Sequence, residues 1–222
     1  AMDPQQRVFL ETAYHAIEDA RLAADALRGS RCGVFVGVSA GDYHSAEAEP
    51  HRLGLTGSLA SMLPARIAYA LDLRGPVLAI DTACSSSLTA IAEACESLRN
   101  GRCDTALAGG VTLMHTPATQ ALTQRFAMNS PRGRCRAFDA SADGVVWSEG
   151  CGAVVLKRLE QAQADGDPII AVIRGWGVNH DGATNGITAP SADSQADLER
   201  QVYDEFDIDP ATIGYVEGHG TG

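Results

Sequence analysis

With 222 residues, 45% of them hydrophobic and 20% charged, the chain has the composition of a folded globular protein, long enough to bury a core without disulfide or metal staples. Acidic residues number 28 against 17 Lys and Arg, and the formal net charge of −11 repels phosphate backbones and anionic membranes, so neither nucleic acid nor a membrane surface is expected as a partner. Lys157 is the only lysine, no apolar run approaches the roughly 18 residues that cross a bilayer, and the start AMDPQQR is neither a signal core nor a transit peptide, which leads to the expectation of a cytoplasmic protein.

In chain order, Asp3-Pro4 places a cap and a first-turn proline ahead of Phe9, Ala13, Ile17 and Ala20, whose spacing predicts a first helix. GVFVGV (33–38) is a β-branched run bounded by glycines, as in a strand buried on both faces. A polar loop follows to about Gly57, and Leu59, Met62, Leu63, Arg66, Ile67 and Ala70 then predict a second helix with a break or kink near its start at Pro64. Residues 76–80 read as another buried strand. From Cys84, the apolar positions Leu88, Ile91, Ala92, Cys95 and Leu98 predict a helix that stops at Asn100-Gly101, completing a strand-turn-helix unit. Residues 105–113, 151–156, 169–173 and 213–216 are expected as further strands, with a helix over 194–206 between the last two. Such alternation predicts an α/β fold with largely parallel, covered sheets. The stretch 175–190, with turn signals at Asn179, Asp181-Gly182 and Asn185-Gly186, reads as an ordered functional surface loop.

The six cysteines, at 32, 84, 95, 103, 135 and 151, include no CxxC pair, and no two histidines stand at a metal-binding spacing, so neither a zinc site nor a disulfide framework is indicated. Most of the six read as small buried thiols. Cys84 differs because PVLAIDTACSSSL puts it where a strand ends and a helix begins. There, unpaired backbone N–H groups and the positive end of the helix favour thiolate over thiol, and the small neighbours Ala83 and Ser85 to Ser87 leave the sulfur accessible. On residues alone, the other reading is a buried structural cysteine followed by serine capping. In YVEGHGTG a strand runs into His219 held between glycines, which suits either an imidazole aimed at a reacting centre or a structural histidine in a turn. His15, His44, His51 and His115 read as surface or hydrogen-bonded residues, and His180 in VNHDG as intermediate between the two classes.

DPQQR (3–7), DTACSSSL (81–88), ALAGGV (106–111), AFDASADG (137–144), EGCGAVVLKRL (149–159), NGITAP (185–190) and EGHGTG (217–222) stand in an order and spacing that resembles the β-ketoacyl synthase domain of modular polyketide synthases, over essentially the whole chain. The resemblance implies Cys84 as the family's nucleophile and His219 as the first of its two catalytic histidines, with Gly218 where alanine is usual. Glu149 matches a buried glutamate beside the active site; taken alone it is a charge capping a turn. The implied fold is thiolase-like, five αβαβα layers in two similar halves. Residues 1–159 correspond to the first half without its first strand, and 160–222 to the beginning of the second. The second histidine, the catalytic lysine and the gating loop belong downstream, so an internal fragment is expected, inactive by itself. The implied reaction loads an acyl chain onto Cys84 and condenses it with a malonyl-type unit on an acyl carrier protein, losing CO₂. No metal or organic cofactor is implied, because the phosphopantetheine arm belongs to the carrier partner. The complete domain is expected to be a homodimer through the first half. The alternatives are a non-elongating, transacylating ketosynthase and an inactive dimerising scaffold, with a cysteine hydrolase disfavoured by the motif order.

Overall fold

Pro4 has no N–H to lose at a helix start, and Asp3 before it accepts the Gln5 N–H at 2.8 Å, so the first helix, α1, runs Pro4–Asp19 as its sequence predicts. The computed structural model describes residues 2–43 and 54–221; His44, His51 and most of the expected polar loop lie outside the described residues. After α1 come β1 (Cys32–Gly37), α2 (Gly54–Ser58), α3 (Met62–Leu71), β2 (Val77–Ile80), α4 (Ser86–Arg99), β3 (Thr105–Thr112), α5 (Ala118–Arg125), β4 (Gly150–Lys157), α6 (Leu159–Asp165) and α7 (Ala192–Glu205). Pro64 does not break α3. It occupies the first turn, where its N–H would have had no intrahelical partner.

The chain divides into two units, one of Ala1–Arg158 with Gly218–Gly222 and one of Leu159–Glu217. In the first, the strand order is β2-β1-β3-β4. β1 lies parallel to β2 and β3, while β4 runs antiparallel to β3 with Thr105 opposite Lys157. The expectation of a largely parallel sheet holds for two of the three pairings and is corrected at β4. The connection from β3 to β4 contains only the eight-residue α5, not the crossover helix that would return the chain to a parallel strand. Coverage is also partial, since Val77 and Leu78 of β2 are exposed.

Alternation along the strands separates two apolar layers. Val34, Val36, Leu107 and Val111 face α1 and α3 and pack with Phe9, Ala13, Ile17, Leu63 and Ile67. Phe35, Ala106 and Ala108 face α4, against Ala90, Ala94 and Leu98. The α4 side is built largely of alanine, so the helix lies close to the strands.

In the second unit α7 is capped by Ser191, whose side chain accepts the Ser194 N–H, and the Trp176 ring packs against Phe206 at 4.7 Å between centroids. Residues 169–173 and 213–216, expected as strands, form none. A strand exists only through its backbone partner, and no described residue supplies one to either segment. Their apolar side chains remain outside, with Ile170 89% and Val216 75% exposed.

Candidate active site

Between β2 and α4 the chain turns through one 3-10 segment, Ala83–Ser85, with Cys84 at its centre. Ala83 adopts a left-handed φ of 56°, a conformation that costs a residue with a Cβ on the order of 1 kcal/mol. Hydrogen bonds hold it there. Asp81 Oδ1 accepts the Ala83 N–H at 3.1 Å and the Ser39 hydroxyl at 2.9 Å. Ser86 Oγ accepts the Thr82 N–H at 2.9 Å and donates to the Ala83 carbonyl at 2.6 Å, while the Ser85 hydroxyl donates to the Thr82 carbonyl at 2.9 Å. The serines therefore brace the turn, and Ser85 makes no side-chain cap to α4.

This elbow presents Cys84 to solvent, which removes the reading of a buried structural cysteine. Cys32, Cys95 and Cys103 are buried and Cys151 is half-buried. Burial pushes the Cys32 thiol up to about 12 and Cys95 to about 11, and raises Cys103 and Cys151 in the same direction. Cys135 is exposed as well; its sulfur accepts the Val146 N–H at 3.0 Å.

Cys84 lies on a cleft of about 590 Å³ with Ser39, Ile91, Val154 and Glu149 on its walls. Glu149 Oε1 accepts the Met114 N–H at 2.7 Å, tying the segment after β3 to the residue before β4. The carboxylate is exposed in this cleft, and its bond joins two segments 35 residues apart rather than capping a turn of its own. Trp147 Nε1 donates to Asn129 Oδ1 at 3.0 Å and anchors the approach to Glu149.

His219 is exposed, and its glycine neighbours lie against the Phe138 ring. A Cβ on Gly218 would stand 3.1 Å from Phe138 Cζ, and one on Gly220, whose φ is 53°, 3.1 Å from Phe138 Cε2. The structure thus brings Cys84 and Glu149 to one cleft, and His219 is not among the residues that line it. Of the other histidines, His15 is exposed on α1, His115 packs edge-on against Tyr43, and His180 Nδ1 accepts the Gly182 N–H within the 175–190 loop. Ser39 and Asp81 were missed by sequence reasoning: their bond spans 42 positions, and only the Asp next to the TAC run gave any signal. Among the described residues no cluster of His, Cys, Asp or Glu is arranged to hold a metal ion, and no helix is long and apolar enough to cross a membrane.

The family model of the β-ketoacyl synthase N-terminal domain matches residues 1–162, and that of the C-terminal domain residues 170–222. The chain belongs to the β-ketoacyl synthase family. Among solved relatives, the ketosynthase from module 6 of the bacillaene synthase of Bacillus subtilis 168 is 48% identical, with a TM-score of 0.93 over 99% of this chain and 38% of that one. The oxazolomycin ketosynthase domain of Streptomyces albus JA3453 is 41% identical, with the same TM-score of 0.93 over 100% of this chain and 39% of that one. This ketosynthase sequence therefore has their thiolase-like α/β fold. The phthioceranic/hydroxyphthioceranic acid synthase of Mycobacterium tuberculosis H37Rv is 50% identical over the whole of this chain, which spans 11% of that protein. The mycocerosic acid synthase-like polyketide synthase of Mycolicibacterium smegmatis is 49% identical over the whole of this chain, which again spans 11% of the relative.

Proposed function

We propose that this ketosynthase sequence carries the acyl-accepting thiol of a polyketide synthase and that Cys84 is that thiol. The observation that carries the reading is an exposed cysteine on a strained, hydrogen-bonded elbow ahead of α4, beside a cleft, in a chain of the β-ketoacyl synthase family. In the first stage the Cys84 thiolate attacks the carbonyl of an acyl thioester on a carrier protein; the C–S bond to sulfur of the carrier's phosphopantetheine breaks, and its thiol leaves. In the second, a malonyl thioester loses CO₂. The carbanion left behind attacks the Cys84 thioester, forms the new C–C bond and returns Cys84 as thiolate. Negative charge develops on the malonyl thioester oxygen, where neutral imidazole N–H donors lower the barrier; His219 is assigned as one of these by its motif. Glu149 supports the cleft through its bond to Met114. The partners of the reading are an acyl carrier protein and, through the first half, a second copy of the domain.

The test uses a ketosynthase of the length of the solved relatives that contains this sequence. Cys84→Ala abolishes acyl transfer from acyl-pantetheine thioesters, seen as loss of the acyl mass increment. His219→Ala keeps loading and loses malonyl decarboxylation and β-ketoacyl product. Normal loading of the Cys84 variant overturns the reading.

A further inference from the structure

Gly37 at the end of β1 and Gly110 in β3 stand opposite each other in the parallel register and face the first turn of α4. Neither has a left-handed backbone, so no turn requires glycine here, and glycine within a strand is unfavourable relative to alanine. What requires it is proximity. A Cβ on Gly37 would lie 2.5 Å from the Ser87 nitrogen and 2.6 Å from the Ser86 carbonyl carbon, and one on Gly110 would lie 2.8 Å from Ser87 Cβ. The backbone of α4 thus rests directly on the backbone of the sheet at its first turn. The residue it rests on is also the brace of the elbow, because Ser86 Oγ bonds both the Thr82 N–H and the Ala83 carbonyl on either side of the strained φ.

We propose that Gly37 and Gly110 are positioning residues that set the depth of the α4 start and, through Ser86, the orientation of the Cys84 thiol. The inference rests on the reading of Cys84 as the acyl-accepting thiol and goes beyond it by assigning the support of that thiol to two strand glycines with no chemistry of their own. A methyl group at position 110 pushes Ser87 outward and drags the elbow with it. Removing the Ser87 Cβ takes away the closest clash and the one that bears on α4; what remains is Gly37 O at 3.1 Å, a tight contact within the sheet that a shift of a few tenths of an ångström relieves, and Ser87 Cα at 3.5 Å.

The test is carried out on a ketosynthase of the length of the solved relatives that contains this sequence, treated with iodoacetamide, reading the carbamidomethylation of each cysteine by peptide mass mapping, with the exposed Cys135 as reference in the same sample. Gly110→Ala lowers the Cys84 to Cys135 rate ratio, because the displaced elbow no longer presents the sulfur as the parent does. Ser87→Gly alone leaves the ratio unchanged, and Gly110→Ala with Ser87→Gly restores it. An unchanged ratio in Gly110→Ala, or no recovery in the double variant, overturns the inference. If Gly110→Ala unfolds, which labelling of Cys32, Cys95 and Cys103 reveals, the double variant must fold and label Cys84 as the parent does, and its failure also overturns the inference. A parent chain in which Cys84 is no faster than Cys135 overturns the reading of the thiol itself, so the two failures are distinguishable.

Discussion

Cys84 and Cys135 share exposure but not setting: one tops a braced elbow before a helix, and the other receives the Val146 N–H in a loop. Alkylation by iodoacetamide at neutral pH is therefore expected first at Cys84, then at Cys135, with Cys32 and Cys95 unlabelled because burial holds them at about 12 and about 11 and keeps them protonated. Timed peptide mapping checks the order, and Cys95 appearing before Cys84 contradicts it. A second residue-scale prediction concerns Asp42. The Thr116 hydroxyl at 2.6 Å, with the His115 and Thr116 N–H groups each at 2.9 Å, holds its carboxyl below the usual carboxylate range. A carboxyl whose folded pKa is depressed stabilises the fold above its unfolded pKa, and that stability is lost as pH falls through the folded value. Thr116→Val is expected to cost about 0.5–1 kcal/mol at pH 7, discounted for the exposed setting, with the gap to the parent closing below about pH 4. Urea unfolding at both ends of that range measures it, and a gap that widens in acid contradicts the assignment.

At the scale of elements, the cap of α1 offers a direct measurement. Asp3 is buried and accepts from the Gln5 backbone N–H, so Asp3→Ala is expected to lower stability by about 1–2 kcal/mol, read from the urea midpoint. Asp3→Asn, which keeps an acceptor, is expected to recover most of that loss. This cap was legible in the sequence because its signal is local: three consecutive residues state it. β1 was legible as a run buried on both faces, and Val34 and Val36 fall in one layer with Phe35 in the other; for α4 the extent was legible, but of the face read from spacing Leu88 is exposed and Leu98 packs on the sheet beside Ala90 and Ala94, which that spacing did not single out. Where structure depends on partners distant in sequence, legibility fades. Residues 169–173 have the β-branched content of a strand, but pairing is a property of two segments and a single run cannot state it. The antiparallel sense of β4 was hidden for a similar reason, being set by the path through 113–149. α5 and α6 are short and sparsely apolar, so their pattern carried little information. In the site, Cys84 was readable from its strand-turn-helix context, whereas the Ser39 to Asp81 bond and the Phe138 contact with Gly218 and Gly220 come only from folding.

For the molecule as a whole, apolar exposure rather than charge is expected to govern its behaviour in solution. Ile170, Tyr215 and Val216 of the second unit are 89%, 79% and 75% exposed, and a net charge of −11 spread over the chain does not cover them. The 222-residue chain is expected to associate with rising concentration, and Ile170→Lys with Val216→Lys to reduce that association without lowering the unfolding temperature. Light scattering alongside thermal unfolding checks both, and unchanged scattering in the double variant contradicts the attribution. The lone lysine has a practical corollary. Lys157 ends β4 opposite Thr105, one residue before the division between Arg158 and Leu159. A lysine-specific endoprotease therefore has a single bond to cut in this sequence, and because Lys157 is paired with Thr105 that cut is expected to speed up when the end of β4 peels from β3. The cut releases two pieces that almost coincide with the two units, so a gel with one parent band and two product bands becomes a direct clock for the opening of that strand pair.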